Sequence, residues 1–182
     1  MHYSEIKEFD IADGPGVRVA LFVSGCPHHC RGCFNECTWD YRAGRPFTKA
    51  VEDRIINSCR RECVAGLSLL GGEPLDPANQ PSVLGLLERF RSEVPGKTVW
   101  AYTGYVYEDL LEGGRARTEC TGRILGLLDV LVDGPFVMAK KSIALSFRGS
   151  SNQRVIDVPR TLRAGKVVAW AGLRDRSPSA AG

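Results

Sequence analysis

Val17-Arg18-Val19-Ala20-Leu21-Phe22-Val23, followed shortly by Cys26-Pro27-His28-His29-Cys30-Arg31-Gly32-Cys33, is the stretch whose reading decides the fold. The first run is nearly continuous in apolar character, as in a strand buried on both faces, which is the habit of parallel sheets. Asp13-Gly14-Pro15-Gly16 ahead of it is turn chemistry. The loop that leaves the strand carries cysteines at i, i+4 and i+7. Loops at the C-terminal ends of parallel strands are where α/β folds place their active sites.

Thiolates are soft ligands that select zinc, copper(I) or iron–sulfur clusters. A structural zinc takes four protein ligands, and only three cysteines are grouped here. A 4Fe–4S cube held by Cys26, Cys30 and Cys33 would leave one iron without a protein ligand, open for chemistry. Two other readings stay beside it. His28 or His29 completes a Cys3His zinc site only through awkward geometry, because both lie inside the short loop between the first two cysteines. A disulfide with a spare thiol needs an oxidising compartment that nothing else in the sequence suggests.

Outward from this stretch, helices alternate with short strands. Thr48 to Ala65 reads as a helix with Thr48 as N-cap, and Val51, Ile55, Ile56, Cys59 and Cys63 share one face. Cys59 and Cys63 are therefore expected to pack in the core as small apolar residues. Cys37 and Cys120 are isolated in sequence; Cys37, near the cysteine loop, is weighed as a ligand and read as a bystander. Leu67 to Leu70 is a short strand running into Gly71-Gly72-Glu73-Pro74. Pro81 opens a helix with Val83, Leu84, Leu87 and Phe90 on one face. Thr98 to Tyr102 and Val130 to Val132 are further strands, with helical patterns over Val106 to Leu111 and Gly122 to Leu128 between them. Arg154 to Val158 is the last strand, and Phe34 to Pro46 reads as irregular. There is no internal repeat.

Alternating strands and helices imply parallel β–α units with right-handed crossovers. About five parallel strands are too few to close an eight-stranded barrel, so an open partial (β/α) barrel is expected. The chain has 182 residues, 43% hydrophobic and 25% charged, with a net charge of +3. That suits one domain over residues 1–170 and argues for neither nucleic acid nor membrane. Residues 171–182 form a tail, and from Arg174 on the composition is that of a disordered segment. The start shows no signal-peptide pattern and no apolar run is long enough to span a bilayer. Together with seven cysteines, an odd number, this places the chain in the cytoplasm with reduced thiols or metal ligands.

The Cys-x3-Cys-x2-Cys pattern resembles the cluster motif of the radical S-adenosylmethionine (SAM) enzymes. Asp13-Gly14-Pro15-Gly16-Val17-Arg18 through Cys33-Phe34-Asn35 is similar to the glycyl-radical activating enzymes within them. Thr38-Trp39, Gly71-Gly72-Glu73-Pro74-Leu75, Tyr102-Thr103-Gly104-Tyr105, Val132-Asp133-Gly134 and Phe147-Arg148-Gly149-Ser150-Ser151-Asn152-Gln153 follow in order. That set resembles the branch acting on anaerobic ribonucleoside-triphosphate reductases, and it covers Tyr3 to Val158.

The resemblance implies an incomplete barrel with the cluster at the mouth, SAM on the open iron, and reductive cleavage to methionine and a 5′-deoxyadenosyl radical. It implies that Gly71-Gly72-Glu73 bind the SAM amino group through backbone carbonyls, the alternative for Glu73 being to hold the loop rather than touch SAM. Backbone groups of Gly32, Cys33 and Phe34 are expected to reach the adenine. Most radical SAM loops carry an aromatic where Gly32 stands. Thr103 and Asp133 resemble positions that bind the SAM carboxylate with a monovalent cation, although Tyr102 replaces an acid. Arg148, Ser150 and Asn152 form a late polar cluster serving either SAM or a partner. The implied partners are the reductase and a reduced flavodoxin or ferredoxin-like electron donor. Activation of another glycyl-radical enzyme, small-molecule radical SAM chemistry such as deazapurine formation, and a non-catalytic zinc-binding module are the rival functions.

Overall fold

The strand Val17–Val23 (β2) is the spine of the molecule, with Val19, Ala20, Leu21 and Val23 fully buried. The computed structural model describes residues 1–175; the part of the expected tail from residue 176 on lies outside the described residues. β1 (His2–Asp10), β2, β3 (Arg45–Pro46), β4 (Val64–Gly71), β5 (Thr98–Tyr102), β6 (Val130–Asp133) and β7 (Arg154–Asp157) form one open sheet in the order β3-β1-β2-β4-β5-β6-β7. The class is α/β, as expected. The sheet, however, is mixed: only β2, β4, β5 and β6 run parallel, and β1, β3 and β7 are antiparallel to their neighbours. The expected set of about five parallel strands is thus corrected to four, flanked by three antiparallel ones.

Register puts the functional loops at one edge. Val23 pairs with Gly71 and Tyr102 with Val132, so the cysteine loop, the Gly71-Gly72 loop and the Thr103 loop leave the sheet side by side. Helices α1 (Lys49–Cys59), α2 (Gln80–Glu93) and α3 (Thr121–Gly126) connect strands, and α4 (Val158–Ala164) follows β7. Ile55, Ile56 and Cys59 of α1, with Val83, Leu87 and Phe90 of α2, pack on Val19, Leu21, Leu67, Leu69 and Val99. The opposite face is covered differently. There Trp100, Val130, Val132 and Val155 meet Phe147, Trp170 and Leu173.

Helix α1 ends at Cys59 rather than running on to Ala65, because Val64 already opens β4 opposite Val17. Cys59 is buried as expected, whereas Cys63 sits in the turn between them and is exposed, which corrects its placement in the core. Val106 to Leu111 forms only a short 3-10 turn, Tyr107–Leu110. Arg18 of β2 is buried among neutral groups. Its guanidinium donates to Ser68 Oγ at 2.7 Å, Thr98 Oγ1 at 2.9 Å, and the Leu67 and Thr98 carbonyls at 2.8 and 3.0 Å. Burial lowers its pKa to about 10, and these four acceptors satisfy it without a carboxylate.

Candidate metal centre

Cys26, Cys30 and Cys33 all line a cavity of about 500 Å³ at the C-terminal ends of β2, β4 and β5. Cys26 is buried and the other two are half-buried. Their loop is tight: the Cys33 amide donates to the Cys30 carbonyl at 3.0 Å, and His29 and Gly32 take φ values of 45° and 72°. The Asn35 amide donates to Cys33 Sγ at 3.3 Å. Burial nevertheless raises the Cys26 thiol to about 11 and pushes Cys30 up as well. Thiols so placed ionise when a cation compensates the desolvation, as coordination does, and amide hydrogen bonds to sulfur are a standard means of tuning iron–sulfur centres. The donor set fits a cluster held by three cysteines. Neither imidazole of the loop is offered as a fourth ligand: His28 Nε2 lies 2.9 Å from Glu73 Oε2, and His29 stacks on Trp39 at 4.5 Å.

Glu73 ties the neighbouring loops together. Its carboxylate, fully buried, also accepts from the Leu75 amide at 2.9 Å, Thr103 Oγ1 at 2.8 Å and the Gly104 amide at 2.7 Å. Gly71 and Gly72 are required by packing. A Cβ at Gly71, whose φ is 101°, would meet the Phe22 backbone at 2.7 Å, and one at Gly72 would meet the Gly25 carbonyl oxygen at 2.5 Å. The Glu73 amide donates to that same carbonyl at 2.7 Å. The exits of β2 and β4 are therefore in backbone contact.

Gly71, Gly72, Glu73, Thr103, Cys33 and Phe34 all lie in the cavity wall. Asp133 does not. The buried carboxylate of Asp133 accepts from the Tyr107 amide at 2.7 Å and from Arg154 Nε at 2.9 Å, so its oxygens are engaged within the protein. Ser150 and Asn152 also turn out to be braces. The Val137 amide donates to Ser150 Oγ at 3.1 Å, and Asn152 Nδ2 donates to the Pro135 carbonyl at 2.8 Å. Arg148, from the same motif, does line the cavity, together with Lys7, Asp13, Tyr102 and Phe136, none of which the sequence had singled out as site residues. Cys37 is exposed, and Cys120 packs against the core.

A parallel strand whose exit loop brings three cysteines to one cavity is the arrangement of an iron–sulfur domain, and the 4Fe-4S single cluster domain family matches residues 12–156. The chain belongs to the anaerobic ribonucleoside-triphosphate reductase-activating proteins within it. The protein of that name from Escherichia coli strain K12 is 46% identical over 157 residues, 85% of this chain and 97% of its own length. That of Vibrio cholerae is 41% identical over 84% of this chain and 96% of its own. The one from Enterobacteria phage T4 is 36% identical over 85% of this chain and 93% of its own. Among the described residues no helix is long and apolar enough to cross a membrane.

Proposed function

We propose that this chain is a radical SAM enzyme that generates a glycyl radical on an anaerobic ribonucleoside-triphosphate reductase. The observation that carries the reading is one cavity wall that joins three cysteines to the exits of β4 and β5. Its volume, about 500 Å³, suits a small-molecule cofactor. Cys26, Cys30 and Cys33 would hold a 4Fe–4S cluster, with SAM lying between it and Gly71, Gly72, Thr103 and Phe34. When bound, cluster and SAM supply a one-electron cleavage yielding methionine and a 5′-deoxyadenosyl radical that takes a hydrogen atom from a glycine Cα.

The chain's own contribution is positioning. Glu73 fixes the β4 and β5 exits against His28, so the cysteine loop and the cofactor wall move as one unit. The open sheet is read as an incomplete (β/α) barrel whose unclosed side admits a protein segment. Asp133 is engaged by Arg154 and the Tyr107 amide, so this scheme contains no monovalent cation at that residue. The names of the relatives support the reductase as partner. The electron donor is taken to be a reduced flavodoxin or ferredoxin-like protein. Reduced protein, SAM and reductase together should produce a doublet in electron paramagnetic resonance that collapses when the reductase carries α-deuterated glycine. SAM cleavage without a radical on the reductase would refute the assignment of substrate.

A further inference from the structure

Among the described residues, two buried polar side chains of the cavity wall lack the partners that buried groups ordinarily have. Arg148 is only 10% exposed at its side chain; Asp175 engages Nη2, while Nε and Nη1 are buried with no hydrogen-bond partner among the described residues. The hydroxyl of Tyr102 is likewise buried and unpartnered. Arg18, the other buried arginine on this side of the sheet, shows how the fold treats such a group when its role is structural, with every nitrogen given an acceptor. Arg148 is also held in place. Phe147 before it packs edge-on against Trp100 and Trp170, and the Gly149 and Ser150 amides after it donate to Gln153 Oε1 at 2.9 and 3.1 Å.

We propose that Arg148 and Tyr102 are substrate-binding residues that receive main-chain carbonyl oxygens of the reductase segment carrying the target glycine. This rests on the activating-enzyme reading above. A polypeptide entering a cavity loses water from its carbonyls and needs donors there, and these two side chains offer donors without acceptors of their own. The carboxylate of SAM is the competing acceptor for the guanidinium, and the test separates it from the segment by measuring SAM affinity apart from reductase binding. The rim of the site favours a protein as well. Phe34, in the cavity wall, is 67% exposed, and the Lys141 ammonium sits 4.7 Å above its ring. A cofactor contained within the cavity has no use for this apolar and basic lip, whereas a protein segment crossing it does.

The test uses the reconstituted full chain under anaerobic conditions with radical-free reductase, titrated in the presence of SAM, and SAM affinity measured separately. Arg148→Gln should weaken reductase binding about tenfold or more, the loss of a charge-assisted hydrogen bond, while SAM affinity changes by less than about twofold. Tyr102→Phe should weaken reductase binding and at the same time raise the melting temperature, since it removes a buried hydroxyl with no partner. Asp175→Asn leaves both unpartnered donors of Arg148 in place and should bind reductase like wild type. If Asp175→Asn reproduces Arg148→Gln, the arginine is a strut for the C-terminal segment and the proposal falls. It falls also if Arg148→Gln loses SAM affinity and keeps the reductase. Wild-type protein that fails to bind the reductase would instead refute the activating-enzyme reading itself.

Discussion

Glu73→Gln is the sharpest test of how the site is built. The native carboxylate is fully buried and accepts from the Leu75 amide, Thr103 Oγ1 and the Gly104 amide at 2.7 to 2.9 Å, with His28 Nε2 at 2.9 Å. Glutamine keeps the volume but turns one acceptor oxygen into a donor, so at least one backbone amide, that of Leu75 or that of Gly104, faces a group that cannot accept from it. A buried donor left unpaired costs about 1–3 kcal/mol, a sizeable share of a total stability of about 5–15 kcal/mol. For a chain of this size the melting temperature should fall by roughly 5 °C. Because His28 lies between Cys26 and Cys30, iron content after anaerobic reconstitution should fall with it. The assay is thermal unfolding followed by circular dichroism, with iron and sulfide measured on the same sample. A variant melting within about 2 °C of wild type and holding full iron would refute Glu73 as the tie between the three loops.

Cys30→Ala should abolish iron binding, whereas Cys63→Ser, at an exposed turn, should change stability by less than about 0.5 kcal/mol and leave iron intact; iron loss in Cys63→Ser without unfolding would make it a ligand. Gly72→Ala should lose iron together with SAM affinity, because its Cβ would meet the Gly25 carbonyl at the root of the cysteine loop; normal iron with weakened SAM binding would point to a direct cofactor contact instead. Asp13→Asn should change how stability varies with pH. Burial, with Asp10 beside it, raises the Asp13 carboxyl from 3.8 to about 7, so the folded state holds a proton that the unfolded chain releases. Wild-type stability therefore declines as pH rises from about 4 to 7. The variant should be more stable than wild type at pH 8 and no better near pH 4, and denaturant titrations showing the same difference at both would contradict this.

The parallel centre of the sheet was legible because its strands are buried on both faces and written in apolar residues. Val17 to Val23 and Leu67 to Leu70 needed no context. β1 is different. Its residues, His2 to Asp10, are mostly polar, and only Tyr3 and Asp10 among them are buried. Such a strand is defined by its antiparallel pairing with β2, which no local pattern announces. The reversal of β7 had the same origin, since direction depends on the long connection from Gly134 to Gln153. Cys63 was misplaced because it falls four residues after Cys59, the spacing of one helical face, while the competing demand came from Val64 pairing with Val17 in β4.

Within the site, identity was easier to read than role. The sequence named the cysteines and the Gly71-Gly72-Glu73 loop, and the structure brings them to one cavity. What it withheld was which polar groups are already spoken for. Asp133 and Glu73 are both acids at strand ends, yet one is bound to Arg154 outside the cavity wall and the other knots loops within it. Gly32 makes the same point for shape. An ideal Cβ there would overlap the terminal methyl of Met138, and Phe136, next to that segment, packs on Phe34 with ring centroids 5.4 Å apart. The volume an aromatic would occupy at position 32 is thus filled from the loop after β6. A methionine, unbranched and adaptable, is suited to fill it. Position 32 and position 138 are one packing unit, so the glycine reads as a missing side chain only until the residue that replaces it in space is known.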